Sequence, residues 1–152
     1  LSDPFDLERF IEAQAPVYLT ALAEIRRGAK RSHWMWFVFP QLRGLGHSAT
    51  ARYFGVGSID EARAYLDHPL LRSRYLECVG ALQALAASDP VAVFGPVDAK
   101  KLRSSLTLFE SAGGPSILGQ AIDRWFDGIR DETTLRLLRE AGDHTVLPGE
   151  PA

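Results

Sequence analysis

Ser32-His33-Trp34-Met35-Trp36-Phe37-Val38-Phe39-Pro40 is the stretch on which the fold class turns. Seven residues from His33 to Phe39 form a nearly continuous apolar run between polar and proline breakers. Such a run fits a buried strand, and its aromatic content favours one. A strand needs a partner, however, because a lone one leaves its backbone amides unpaired. The nearest candidate is Val91-Ala92-Val93-Phe94, and Pro90 just before it argues against a central strand there. The run is therefore expected to be a short buried helix over 33–39, with Ser32 as its N-cap and Pro40 as its stop.

Outward from the run, stop and start signals divide the chain into helices. Asp3-Pro4 or Asp6 starts a first helix carrying Leu7, Phe10 and Ile11 at helical spacing. Pro16 opens a second, which Gly28 ends. Gly46-His47-Ser48 begins one through Tyr53. Ser58-Ile59-Asp60-Glu61 has the pattern of a capping box and starts a helix through Leu66. Pro69 opens the longest candidate, to about Ala87. Ser88-Asp89-Pro90 starts a brief one ended by Gly95, and Pro96 another through about Ala112. After Gly113-Gly114-Pro115 comes a helix with Ile117, Leu118, Ala121, Ile122, Trp125 and Phe126 on one side. Asp131 caps a last one, stopped by Gly142. The expected architecture is mainly α, a compact single-domain bundle of about seven to nine short helices without a substantial sheet. The domain spans 3–142, and 143–152 reads as a loose C-terminal tail.

The chain has 152 residues, 46% apolar and 24% charged, which suits one soluble globular domain. A net charge of −2 argues against a general nucleic-acid or membrane-surface role. No apolar run reaches the roughly 18 residues of a membrane span. The single cysteine, Cys78, lies in the apolar stretch from Leu76 to Leu85 and reads as an inert buried thiol. One thiol and four scattered histidines fit a reducing cytoplasm. The histidines show no metal-ligand spacing, so neither a metal nor another cofactor is expected.

Lys30-Arg31-Ser32-His33-Trp34-Met35-Trp36-Phe37-Val38-Phe39-Pro40-Gln41-Leu42, followed by Gly44-Leu45-Gly46-His47-Ser48, resembles the uncharacterised bacterial family catalogued as domain of unknown function 1810. The stretches Glu61 to Leu70 and Phe94 to Phe109 resemble its other signatures. The likeness covers roughly residues 3 to 142. The chain departs from the family at Arg72, where a Gly commonly follows His-Pro-x-Leu. The resemblance implies a small, mostly helical single domain and carries no activity with it.

The candidate chemistry lies on the rims of the aromatic run. In the helix from Pro96, Asp98, Lys101 and Ser105 share an arc with the buried Leu102, and their i,i+3 and i,i+4 spacing lets them meet. Lys101 suits an anion, with Asp98 orienting it or acting as a base. Gly44-Leu45-Gly46-His47-Ser48-Ala49 imitates a dinucleotide fingerprint, but no βαβ unit surrounds it. Free amides at Gly46 and Ser48 still suit an anion. His33 and His47 are the candidate acids or bases near neutral pH. Trp34 and Trp36 are two residues apart and point to opposite sides of a helix, so one fills the core and the other can wall a groove. Arg31 and Gln41 complete the rim.

These residues support a cytoplasmic small-ligand-binding domain for an anionic planar, nucleotide-like metabolite. Arg31, Trp34, Trp36, Gln41, Gly46, Ser48, Lys101 and Ser105 would bind it. If there is catalysis, it is a hydrolytic or group-transfer step by His33, His47 or Asp98. The alternative is a non-catalytic interaction module, with the aromatic and basic segment 26–41 docking a protein or RNA partner. An exposed apolar patch would favour the alternative, and a lined cavity the ligand.

Overall fold

Local capping chemistry sets most of the helix ends. The computed structural model describes the backbone of residues 2–149 and the side chains of residues 2–142. Among the described residues there are nine helices: α1 Glu8–Gln14, α2 Tyr18–Arg27, α3 Met35–Val38, α4 Ala49–Phe54, α5 Ile59–Asp67, α6 Pro69–Gln83, α7 Pro90–Ser111, α8 Ser116–Phe126 and α9 Glu132–Gly149. Strand-like pairing among them is limited to one parallel bridge between Leu42 and Val56. The fold is all-α.

Asp3 accepts from the N–H groups of Leu7 (2.8 Å) and Glu8 (3.0 Å) and so opens α1 from five residues upstream. Gly28 ends α2 at φ 73°, a conformation that costs glycine little. Ser48, Asp89 and Asp131 each accept an N–H from the first turn of α4, α7 and α9. At α5 the capping box is half made. Ser58 accepts from the Glu61 N–H, but Glu61 turns to the Gly57 N–H and to Arg9. The two helices expected from Pro90 and Pro96 abut within α7, where Gly95 breaks the helical path at φ 80°, ψ 163°.

Three helix ends differ most from expectation. The Pro69 helix ends at Gln83, not Ala87, and α9 is longer than it. Gly142 does not stop α9, whose backbone runs to Gly149. A glycine inside a helix costs about 1 kcal/mol relative to alanine and need not end it. The expected loose tail thus begins inside a helix, and its last residues, 150–152, lie outside the described residues, as does the side chain of His144. Finally, Ser32 is not the cap of the aromatic run. Its hydroxyl donates to Glu24 Oε2 at 2.6 Å, and α3 shrinks to one turn beginning after Trp34.

Glu24 is the reason the run can be buried with so little helix. It is 4% exposed and accepts from the N–H groups of Arg31 (2.9 Å) and Ser32 (3.1 Å), the Ser32 hydroxyl and Trp34 Nε1 (2.8 Å). Burial alone would raise its carboxyl. The donors from Ser32, Arg31 and Trp34 outweigh burial and hold it at about 2. On the far side of the run the Phe37 carbonyl accepts from Gln14 Nε2 at 2.7 Å. Polar side chains thus do for this segment what a sheet ladder or a longer helix would otherwise do.

One hydrophobic cluster joins the helices. Phe39 meets Tyr75 edge-on at 5.5 Å, and Tyr75 and Tyr65 both pack on Phe109 of α7. Leu102 and Leu106 are buried beside them. Truncating a residue such as Leu102 to Ala would cost about 2–5 kcal/mol. Cys78 is fully buried, and burial pushes its thiol up to about 12, which leaves it unreactive.

Candidate functional site

The rims of the aromatic run hold charged groups that answer one another. Asp98 accepts from Lys30 Nζ at 2.8 Å and from Lys101 Nζ at 3.1 Å, one on each carboxylate oxygen. Lys30 lies over the Trp34 ring at 4.8 Å and Lys101 over the Trp36 ring at 3.9 Å, so each cation also faces an indole. Lys30 further donates to the Ser32 carbonyl at 2.5 Å. Burial of Asp98 favours the neutral acid, but the two lysines more than offset it, and its carboxyl is held below the usual range. An ionised carboxylate with both oxygens occupied is a poor proton acceptor. The cluster clamps the 29–34 segment to α7.

The expected meeting of Asp98 with Lys101 is present. Ser105 does not join them. It is fully buried on the core side of α7, where its hydroxyl shares a 2.9 Å hydrogen bond with the Tyr75 phenol. Helical spacing put the three on one arc, but it could not tell the core side of that arc from the rim.

Trp34 is the indole that fills the core, at 1% exposed, and Trp36 is the half-buried one. Trp36 lines a cavity with Gln41, Leu45, Gly46, Ala51 and Phe54. That cavity is about 10 Å³, room for about one water. Gly46 keeps it small, since a Cβ there would stand 2.9 Å from Ala51 Cβ. Ser48 is the cap of the six-residue α4. The side chains of Arg31, His33 and His47 are exposed and make no hydrogen bond or ion pair among the described residues.

A larger space lies elsewhere. An open groove of about 780 Å³ runs between residues 42–43, the start of α5, Ser111 and one side of α9. Leu42, Ile59, Leu135 and Leu138 give it apolar walls. Its charged lining is Arg43, Asp60 and Arg139. Asp60 is paired with Arg63 at 3.5 Å and Arg139 with Glu132 at 3.3 Å. Arg43 Nη2 donates to the Gly55 carbonyl at 3.0 Å. The reading of the sequence named none of these residues as a site. Leu135 and Leu138 show only as the apolar stripe of a last helix, and Arg43 as a loop cation. Their meeting depends on segments about ninety residues apart.

Among the described residues no group of three or more His, Cys, Asp or Glu is placed to hold a metal ion. None of the described helices is long and apolar enough to cross a membrane.

A model of the family described as protein of unknown function (DUF1810) matches residues 4–138. The chain is also similar to the crystal structure of a conserved hypothetical protein from Mycobacterium tuberculosis. The two are 47% identical, with a TM-score of 0.88, over 90% of this chain and 99% of that one. No curated protein matches the chain.

Proposed function

This chain belongs to the protein family of unknown function DUF1810, and we propose that it is a cytoplasmic small-ligand-binding domain whose seat is the groove between α5 and α9. The observation that carries this reading is one of size. The groove, at about 780 Å³, falls within the roughly 300–1,000 Å³ of ordinary ligand sites, whereas the cavity under Trp36 is about 10 Å³. The groove also pairs apolar walls with a few polar groups at the edge, as ligand sites do.

The ligand remains an anionic metabolite in this reading. An indole wall for a planar group has no counterpart in the groove, so planarity is not part of the proposal. The proposal is also for binding without catalysis: Asp98 has both oxygens on lysines, and His33 and His47 stand in solvent and do not line the groove. The run 26–41 buries Trp34, Met35, Val38 and Phe39 and leaves Trp36 and Phe37 half-buried, which favours a ligand over a docked partner.

A thermal-shift screen of nucleotides, sugar phosphates and aromatic carboxylates tests the reading. A ligand at a hundred times its Kd should raise the Tm by roughly 5–10 °C in a chain of this size. The shift should vanish in Leu135→Trp, which fills the groove. A shift that survives in that variant, or none at millimolar ligand, would sink the proposal.

A further inference from the structure

The groove's charges are unequally answered. Asp60 and Arg139 each have an opposite charge within 3.5 Å. Arg43 has no carboxylate partner among the described residues. Glu61 packs against the same glycine, Gly57, but its oxygens serve Arg9 and the Gly57 N–H.

Arg43 is nevertheless held in place. Its own N–H donates to the Val56 carbonyl at 2.8 Å, within the single bridge between residues 41–43 and 55–57. Its Nη2 is on the Gly55 carbonyl. Its Nη1 lies close over Gly57, where a Cβ would approach within 3.0 Å. A guanidinium carries five N–H donors in a planar fork that matches a carboxylate or a phosphate. One donor is used on Gly55, and the others have no acidic partner among the described residues. An anchored cation beside an apolar groove is preorganised for an acid, because little side-chain freedom is lost when the acid arrives.

Resting on the groove reading, we infer that the ligand is an amphipathic anion, with its apolar body on Leu42, Ile59, Leu135 and Leu138 and its acidic head on Arg43. The head is a carboxylate or a phosphate monoester, which share the chemistry the fork recognises. Arg43 is the residue that distinguishes an acid from its neutral analogue.

Fluorescence titration of the full chain with 1-naphthoate, 1-naphthyl phosphate and 1-naphthamide tests this. One of the two acids should bind about tenfold or more tighter than the amide. Which acid it is identifies the head. Arg43→Gln should weaken that acid by a similar factor and leave the amide unchanged, Arg43→Lys should recover part of the loss, and Arg136→Ala, an exposed cation of α9 outside the groove lining, should change little. Equal binding of the amide and both acids by the native chain would overturn the inference, as would an acid preference that survives in folded Arg43→Gln. Should Arg43→Gln fail to fold, the acid-to-amide ratio of the native chain and of Arg43→Lys still decides. Failure of the groove itself looks different: none of the three probes saturates, or all bind unchanged in Leu135→Trp.

Discussion

The rim of the aromatic run and the groove between α5 and α9 are opposites. The rim has two lysines, an aspartate, two indoles and a buried glutamate, and its acids, its lysines and the Trp34 indole N–H are partnered with one another or with nearby backbone. The groove has leucines, an isoleucine and a few charges, and it is open. Residues rich in chemistry have been taken up by architecture, and the space for a ligand lies among plain ones. The physical reason is that burying a short aromatic segment leaves amides, carbonyls and an indole N–H that must be satisfied. Charged side chains satisfy them with the fewest residues.

The largest expected effect falls on the rim. Glu24→Ala strands two backbone N–H groups, a hydroxyl and an indole N–H, and should cost about 3 kcal/mol or more in urea unfolding. A loss under about 1 kcal/mol would mean the segment does not depend on this carboxylate. The same group sets an acid limit. Its carboxyl lies at about 2 in the folded chain against 4.5 in its ordinary state. A depressed carboxyl contributes stability above 4.5 that is lost as pH falls toward 2. Unfolding midpoints measured across that window should fall more steeply for the native chain than for Glu24→Ala.

Asp98→Asn comes next. It leaves Lys30, 7% exposed at its side chain, without its counter-charge, and should destabilise by about 2 kcal/mol. Ligand binding in the groove should be unaffected, so a matched loss of stability and affinity would show that the two regions are not independent. The smallest effect belongs to the groove. Leu135→Ala removes a half-buried side chain and should shift stability by about 1 kcal/mol or less while weakening any groove ligand several-fold. A stability loss as large as that of Glu24→Ala would make Leu135 a core residue, and the contrast between the regions would collapse.

Many helix ends are legible where the signal is local, though Gly142 does not stop α9. Gly28, Ser48, Ser58, Asp89 and Asp131 act on their own backbone or on the turn beside them. Ser32 looks the same in sequence, and it fails as a cap because Glu24, eight residues earlier, competes for its hydroxyl and wins through tertiary placement. One tryptophan does fill the core and the other does wall a space, but not through helical spacing: Trp34 precedes α3 at φ −146°, and Glu24 holds its indole. Ser105 was not legible, because its partner Tyr75 is thirty residues away. The groove was least legible of all. Its walls are two amphipathic faces that each read as ordinary packing surface.

The break at Gly95 reaches beyond α7. It lies just beyond Val93, whose carbonyl accepts the Lys30 N–H at 2.8 Å, and three residues before Asp98, which holds the Lys30 ammonium. The early aromatic segment is therefore tied to a stretch made about sixty residues later. On a ribosome adding roughly 5–20 residues per second, Trp34 to Phe39 would wait about 3–12 s for the partner that covers them. During that interval the aromatic run has only its earlier partners, such as Glu24, Phe54 and Tyr75, and the side that Phe94 covers stays open to a chaperone that recognises aromatic segments.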